Sequence, residues 1–251
     1  MNKRDLQPWL RIGAITPHPL NDTLPYEFYL MAPQGVMLMT AGLEIGDYTV
    51  EAVEAQLPVL DRRIDSLMKR GAQRIVISGV PVAMALGRVR MRTLLSDITV
   101  RCGMPADTDL EAIIAGAARL NLRRVAIATR WNDPMNNRLS AYLGTAGIEV
   151  VAVASSGRSM EENAALDDAT GIELAMDLGD RLLAQVEVEG IIMPGGRWIT
   201  IGAVRALEAK HGKPVITNHT ASLWTALKAA GYRGSVVGWG RLLASLSDLG
   251  R

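Results

Sequence analysis

Residues 123–143 read RRVAIATRWNDPMNNRLSAYL. Val125 to Thr129 form a short, nearly all-apolar run, as a strand buried on both faces requires. Arg130 to Asp133 are polar and turn-forming, and a helical pattern follows from Asn136 to Ala146. A strand, a polar loop and a helix in that order make one α/β unit. Residues 11–30, RIGAITPHPLNDTLPYEFYL, carry the same succession. A basic residue precedes the strand in both, and an Asn-Asp pair follows it: Asn21-Asp22 in one and Asn132-Asp133 in the other. A second pair of stretches also matches, GAQRIVISGVPVAM (71–84) and EVEGIIMPGGRWIT (187–200), each a strand ending on a Gly/Pro turn. The spacing within both pairs is about 110 residues, too long for a solenoid period and suited to two similar halves.

Working outward, strands are expected at 12–16, 36–39, 74–78, 124–129, 149–153, 190–193, 214–217 and 235–237. Helices are expected at 49–69, 108–119, 136–146, 165–185, 200–210 and 221–230. Alternation of the two predicts an α/β protein of two pseudo-symmetric halves. Each half is a mostly parallel sheet flanked by helices, and the active-site cleft lies between them. The first half is expected to span 1–118, joined by a return segment 219–251, and the second to span 119–218.

The chain has 251 residues, of which 49% are hydrophobic, enough for a sizeable core. Its 27 basic and 26 acidic residues leave a formal charge of +1, so nothing points to nucleic acid or an anionic membrane as partner. No apolar run reaches the ~18 residues of a membrane span, and the first residues lack an apolar signal core, so a cytoplasmic location is expected. Cys102 is the only cysteine, which rules out an intrachain disulfide and a thiolate metal cage. The three histidines, His18, His211 and His219, have no metal-site spacing. No metal or organic cofactor is expected.

In open parallel sheets, ligands sit beyond the carboxyl ends of the strands. Those loops carry the candidate residues. Pro194-Gly195-Gly196 and Gly79 are turns whose bare amides suit a carboxylate, with the positive end of the helix near Thr200 beside the first; they are equally the geometry of plain turns. His18 and His219 fall in such loops and are the candidate acid–base groups, whereas His211 fits a helix C-terminus, where a cation is favourable. Arg130 and Arg197 are candidate carboxylate clamps, and Trp131 and Trp198 follow them as pocket walls or as contacts to another chain. Thr16, Thr129, Thr217 and Asn218 are short polar groups able to orient a small acid. Asn21 and Asn132 serve either a ligand or their own turns.

The ordered set RIGAITP, GAQRIVISG, CGMPADT, LRRVAIATRWNDPMNNRLSAYL, GIIMPGG, KPVITNHTASLWTALKAAG and GWGRLL spans nearly the whole chain. It resembles the aspartate/glutamate racemase superfamily, and within it the arylmalonate decarboxylase and maleate isomerase branch. The resemblance implies chemistry on a small carboxylic acid, self-association, and a site between two α/β halves. In that superfamily cysteines from the two halves face the substrate carbon. Here the first thiol position, or the glycine that decarboxylases carry, is matched to Gly79 and the second to Pro194. Neither is a thiol, and Val80 and Pro81 stand where hydroxyl residues are usual. Trp131 stands where decarboxylases have an aromatic hydroxyl. Cys102 matches neither position and reads as structural. The expected function is therefore a cofactor-independent, cysteine-independent lyase or isomerase. It would act on a small carboxylate or carbonyl compound, with Asn21, Gly79, Val80, Thr129, Trp131, Pro194, Gly195, Gly196, Arg197 and Asn218 binding substrate and His18 or His219 moving the proton. Hydrolase or hydratase chemistry on the same fold, and a non-catalytic binder of small acids, are the alternatives.

Overall fold

A computed structural model describes residues 7–158, 160–195 and 198–250. The predicted site residues Gly196 and Arg197 lie outside them. The first half runs β1 (Leu10–Thr16), α1 (Thr23–Met31), β2 (Val36–Gly42), α2 (Val50–Ala55), α3 (Leu57–Lys69), β3 (Arg74–Ile77), α4 (Val80–Leu86), α5 (Arg88–Cys102), β4 (Ala106–Thr108) and α6 (Asp109–Arg119). The second runs β5 (Arg124–Thr129), α7 (Asp133–Gly144), β6 (Glu149–Ser155), α8 (Met160–Ala164), α9 (Asp168–Gln185), β7 (Gly190–Met193), α10 (Ile201–His211), β8 (Val215–Thr217), α11 (Asn218–Ala229) and α12 (Arg241–Ala244).

Two four-stranded sheets result, with orders β2-β1-β3-β4 and β6-β5-β7-β8. Every pairing is parallel. The order is the same in both, so β1 corresponds to β5 and β3 to β7, as the internal repeat requires. In each sheet the chain leaves the first strand to one side and returns on the other. This opens a crevice beyond the strand ends where the direction of winding switches. The central strands are buried along their length, Arg74–Ile77 and Gly190–Met193 without interruption. Helix α11 follows the last strand of the second sheet, yet it packs on α6 and on α1.

Local chemistry accounts for the differences from the expected elements. The stretch 49–69 breaks into two helices because Pro58 falls in the first turn of α3, where it lacks an N–H to continue α2. α7 begins at Asp133, earlier than expected, because Asn132 Oδ1 accepts from the Met135 amide and caps it. Residues 235–237 form no strand; Val237 is 71% exposed and has no strand beside it. The three-residue β4 was too short to be read from periodicity.

Candidate active site between the two sheets

The strand ends of the two sheets face a single cleft of about 70 Å³. From the first half come Pro17, His18, Leu20 and Asn21 after β1, Tyr48 after β2, and Ser78 to Pro81 after β3. From the second come Arg130 and Trp131 after β5, Asn163 on α8, and Pro194, Gly195 and Trp198 after β7.

Strand register sets the correspondence between the walls. Ile15 pairs with Ile77 in the first sheet, and Ile127 pairs with Ile192 one residue earlier in the second. Ile77 therefore corresponds to Met193, Ser78 to Pro194, and Gly79 to Gly195. By the same count Pro17 corresponds to Arg130 and His18 to Trp131. Across the cleft, the counterpart of Gly79 is thus Gly195 and that of Pro194 is Ser78.

The glycine turns are tightly built, but the amides of Gly79 and Gly195 are not bare as expected. Gly79 has φ +103, and a Cβ there would lie 2.9 Å from the Pro17 ring, so only glycine fits. Its N–H donates to Asp109 Oδ2 at 2.8 Å. The Gly195 N–H donates to Asn218 Oδ1 at 3.1 Å. Both amides are thus taken by the first residue of the helix after the next strand, from α6 in one half and α11 in the other. The two capping side chains also meet, Asn218 Nδ2 donating to Asp109 Oδ2 at 3.4 Å. Asn218 therefore holds the floor from behind and does not line the cleft. The N-terminus of α10, the other expected anion site, is likewise used. Glu27 Oε1 accepts from the amides of Thr200 and Ile201, the latter at 2.8 Å.

His219 is corrected as a cleft residue. It lies in the first turn of α11 with a side chain only 1% exposed, and its Nδ1 is bonded to Glu27 Oε2. Burial pushes its pKa down, but the Glu27 charge and hydrogen bond, with Asp109 behind them, win and hold it above the ordinary 6.5. Thr129 is corrected too. Its hydroxyl donates to Asn136 Oδ1 at 2.7 Å and accepts from the Trp131 amide at 3.1 Å, so it shapes the loop beneath the cleft. Asn21 lines the cleft, but its Oδ1 accepts from the Leu24 amide at 3.2 Å. His211 bonds Asp180 Oδ1 at 2.8 Å at the end of α10.

What remains to face a ligand is divided between the halves. His18 Nε2 and the Tyr48 hydroxyl lie 3.0 Å apart on the first wall. The Thr16 hydroxyl donates to the His18 carbonyl at 2.7 Å and fixes that loop. Ser78 Oγ donates to Asp109 Oδ2 at 2.9 Å. On the second wall the Arg130 guanidinium stacks 5.4 Å from the Trp198 ring centroid and donates to the Asn163 carbonyl at 2.8 Å. The buried Trp198 Nε1–H has no protein acceptor. Among the described residues that line the cleft, none is Asp or Glu. A buried cation, an unpaired indole donor and no carboxylate make a site for an anion.

Ser78, Tyr48, Asn163, Asp109 and Glu27 were not anticipated. Ser78 ends IVIS, one residue before the loop the strand-end rule selected. Asp109 follows a strand too short to be seen. Glu27, Tyr48 and Asn163 had no local signal.

A model of the arylmalonate decarboxylase family matches residues 12–243. The chain belongs to that family. Arylmalonate decarboxylase of Bordetella bronchiseptica is 28% identical over 233 residues, covering 92% of this chain and 95% of that protein. The solved glycine-to-cysteine variant of arylmalonate decarboxylase, in a sulfate-associated form, superposes with a TM-score of 0.81 at 28% identity, covering 93% and 99%. A cysteine-to-serine variant of the Nocardia farcinica maleate cis-trans isomerase, carrying a covalently bound succinylcysteine intermediate, shares the fold. Its TM-score is 0.79 at 20% identity, covering 94% and 98%. These relatives are enzymes, decarboxylase and isomerase. Against that background the position of the one cysteine matters: Cys102 sits at the C-terminal end of α5 and does not line the cleft. No described helix is long and apolar enough to cross a membrane.

Proposed function

We propose that the protein is a cofactor-independent lyase or isomerase of this family. It acts on a small carboxylic acid with a planar aryl or unsaturated group, through an enolate-like intermediate and without a thiol. The observation behind this reading is the division of the cleft, with the cation and aromatics on one wall and the groups that exchange protons on the other. Arg130 and the Trp198 Nε1–H bind the carboxylate that stays. The tryptophans flank the planar group. Loss of CO2, or of a proton, leaves an electron pair delocalised into that carboxylate, where Arg130 stabilises the developing charge. His18, held by Tyr48, returns or removes the proton at carbon.

The reading is tested by incubating the protein with arylmalonates, maleate and small 2-substituted acids, following each by NMR. At least one is consumed, His18→Gln lowers its kcat about 100-fold or more, and Cys102→Ser leaves it unchanged. Full activity in His18→Gln overturns the role of His18. A second reading, a non-catalytic binder of small acids, is favoured by the occupied Gly79 and Gly195 amides; acids that bind and are never consumed would select it.

A further inference from the structure

Beneath the cleft floor lies a second cavity of about 20 Å³. Most of its wall is apolar, but four polar side chains reach it: Ser78, Asp109, His219 and Ser222. Ser78 is the one polar residue that lines both this cavity and the cleft. His219 Nε2 is buried and has no protein partner. Ser222 Oγ and Ser78 Oγ donate to the two oxygens of Asp109 at 2.7 Å and 2.9 Å. A buried N–H without an acceptor costs about 1–3 kcal/mol. A space of this size suits one water and little more.

We propose that this cavity is a binding site for a single water, and that Glu27, His219, the water and Ser78 form a proton path from the interior to the cleft floor. The water accepts from His219 Nε2–H and donates to Ser78 Oγ. Where turnover is an isomerisation, His18 removes the proton, and Ser78 turns its hydroxyl from Asp109 to the resulting carbanion and gives up its proton as it takes one from the water. The water takes the Nε2 proton. His219 is left neutral, with its Nδ1–H still on Glu27. Asp109 keeps the Gly79 amide, Ser222 and Asn218 as donors. After product leaves, solvent in the cleft restores the proton by the reverse route. The charged groups facing His219 are Glu27 from α1 and Asp109 from α6, both acidic, and both favour the protonated ring. His219 is a positioning residue here; of the members of this path, only Ser78 touches substrate.

Use of the path in turnover rests on the proposed lyase or isomerase reading, but the path itself is tested without substrate. Protein labelled with 15N-histidine is followed by NMR, with His18→Gln and His211→Gln assigning the other two rings. Below the raised pKa of His219 both of its nitrogens carry protons, and the Nε2 proton exchanges with solvent through Ser78. Ser78→Val and Ser78→Thr have the same shape and differ in the hydroxyl. Val slows that exchange about tenfold, whereas Thr keeps it near the native rate and backbone amide protection stays the same in both. Equal exchange in the two variants overturns the path. In the unmodified protein, a high-resolution crystal structure with no water density between His219 and Ser78 overturns it as well.

Discussion

The floor of the cleft is built twice, once at Ser78-Gly79 and once at Pro194-Gly195. Each turn ends a fully buried strand, and each glycine amide is held by the first side chain of a helix that follows the next strand. The frames match, and the chemistry placed on them does not. In the first half the capping group is a carboxylate, Asp109, with a hydroxyl above it and His18 and Tyr48 alongside. In the second it is a carboxamide, Asn218, beneath a proline, with Arg130, Trp131 and Trp198 alongside. One duplicated backbone has thus been divided into a wall suited to moving protons and a wall suited to holding an anion. The counterpart pairs Ser78/Pro194 and His18/Trp131 show the same division, since neither Pro194 nor Trp131 titrates.

The comparison can be broken or sharpened by substitution. The largest effect is expected where the halves are joined. Glu27 of α1 caps α10 and pairs with His219, so Glu27→Ala leaves a buried imidazole and two helix amides without a partner. A loss of about 3–5 kcal/mol is expected, measured by urea unfolding. The folded-state pKa of His219 is raised, so the contribution of the pair is fully present below about pH 6.5 and falls as pH rises through the raised value. The gap between native and Glu27→Ala stabilities therefore narrows on the alkaline side; a gap that widens there refutes the charged pair.

Arg130→Met addresses the binding wall. It should weaken an acid that binds the native protein by about 2 kcal/mol or more in calorimetry, roughly thirtyfold, with kcat falling as Km rises, because Arg130 holds both the bound carboxylate and the charge that develops on it. A fall in kcat alone would move Arg130 to the other side of the comparison. Asn218→Asp makes the two caps alike. It sets a second carboxylate against Asp109, where Asn218 Nδ2 now donates at 3.4 Å. A destabilisation of about 1–3 kcal/mol at neutral pH is expected, recovering as acid protonates one of the pair. No change would mean that the charge difference between the caps is incidental. Cys102→Ser, remote from both walls and half-buried, should shift stability by no more than about 0.5 kcal/mol and leave any turnover intact.

Much of the frame was legible in the sequence because it is local. The bounds of β5 and β7 were read from runs of β-branched and small apolar residues, and the repeat showed through two Asn-Asp pairs and two Gly/Pro turns. Legibility failed where an element was short, as at β4, or where a run had apolar residues and no neighbour to pair with, as at 235–237. In the site, His18, Asn21, Gly79, Val80, Trp131, Pro194 and Gly195, which line the cleft, were selected by the strand-end rule and the family resemblance together. His219 obeyed the same rule and went elsewhere, because as the second residue of α11 it is turned inward against α1.

The sequence by itself determined two α/β halves, a cleft between their strand ends, and a single cysteine, Cys102. Those follow from periodicity, turn chemistry and residue identity, which need no knowledge of distant neighbours. Which polar groups are left for a ligand was decided only by the tertiary structure. The Gly79 amide is consumed by a side chain 30 residues away, the Gly195 amide by one 23 away, and the α10 amide of Thr200 by Glu27, 173 residues earlier. A buried N–H or carboxylate must find a partner wherever the fold brings one, and that search runs through space rather than along the chain.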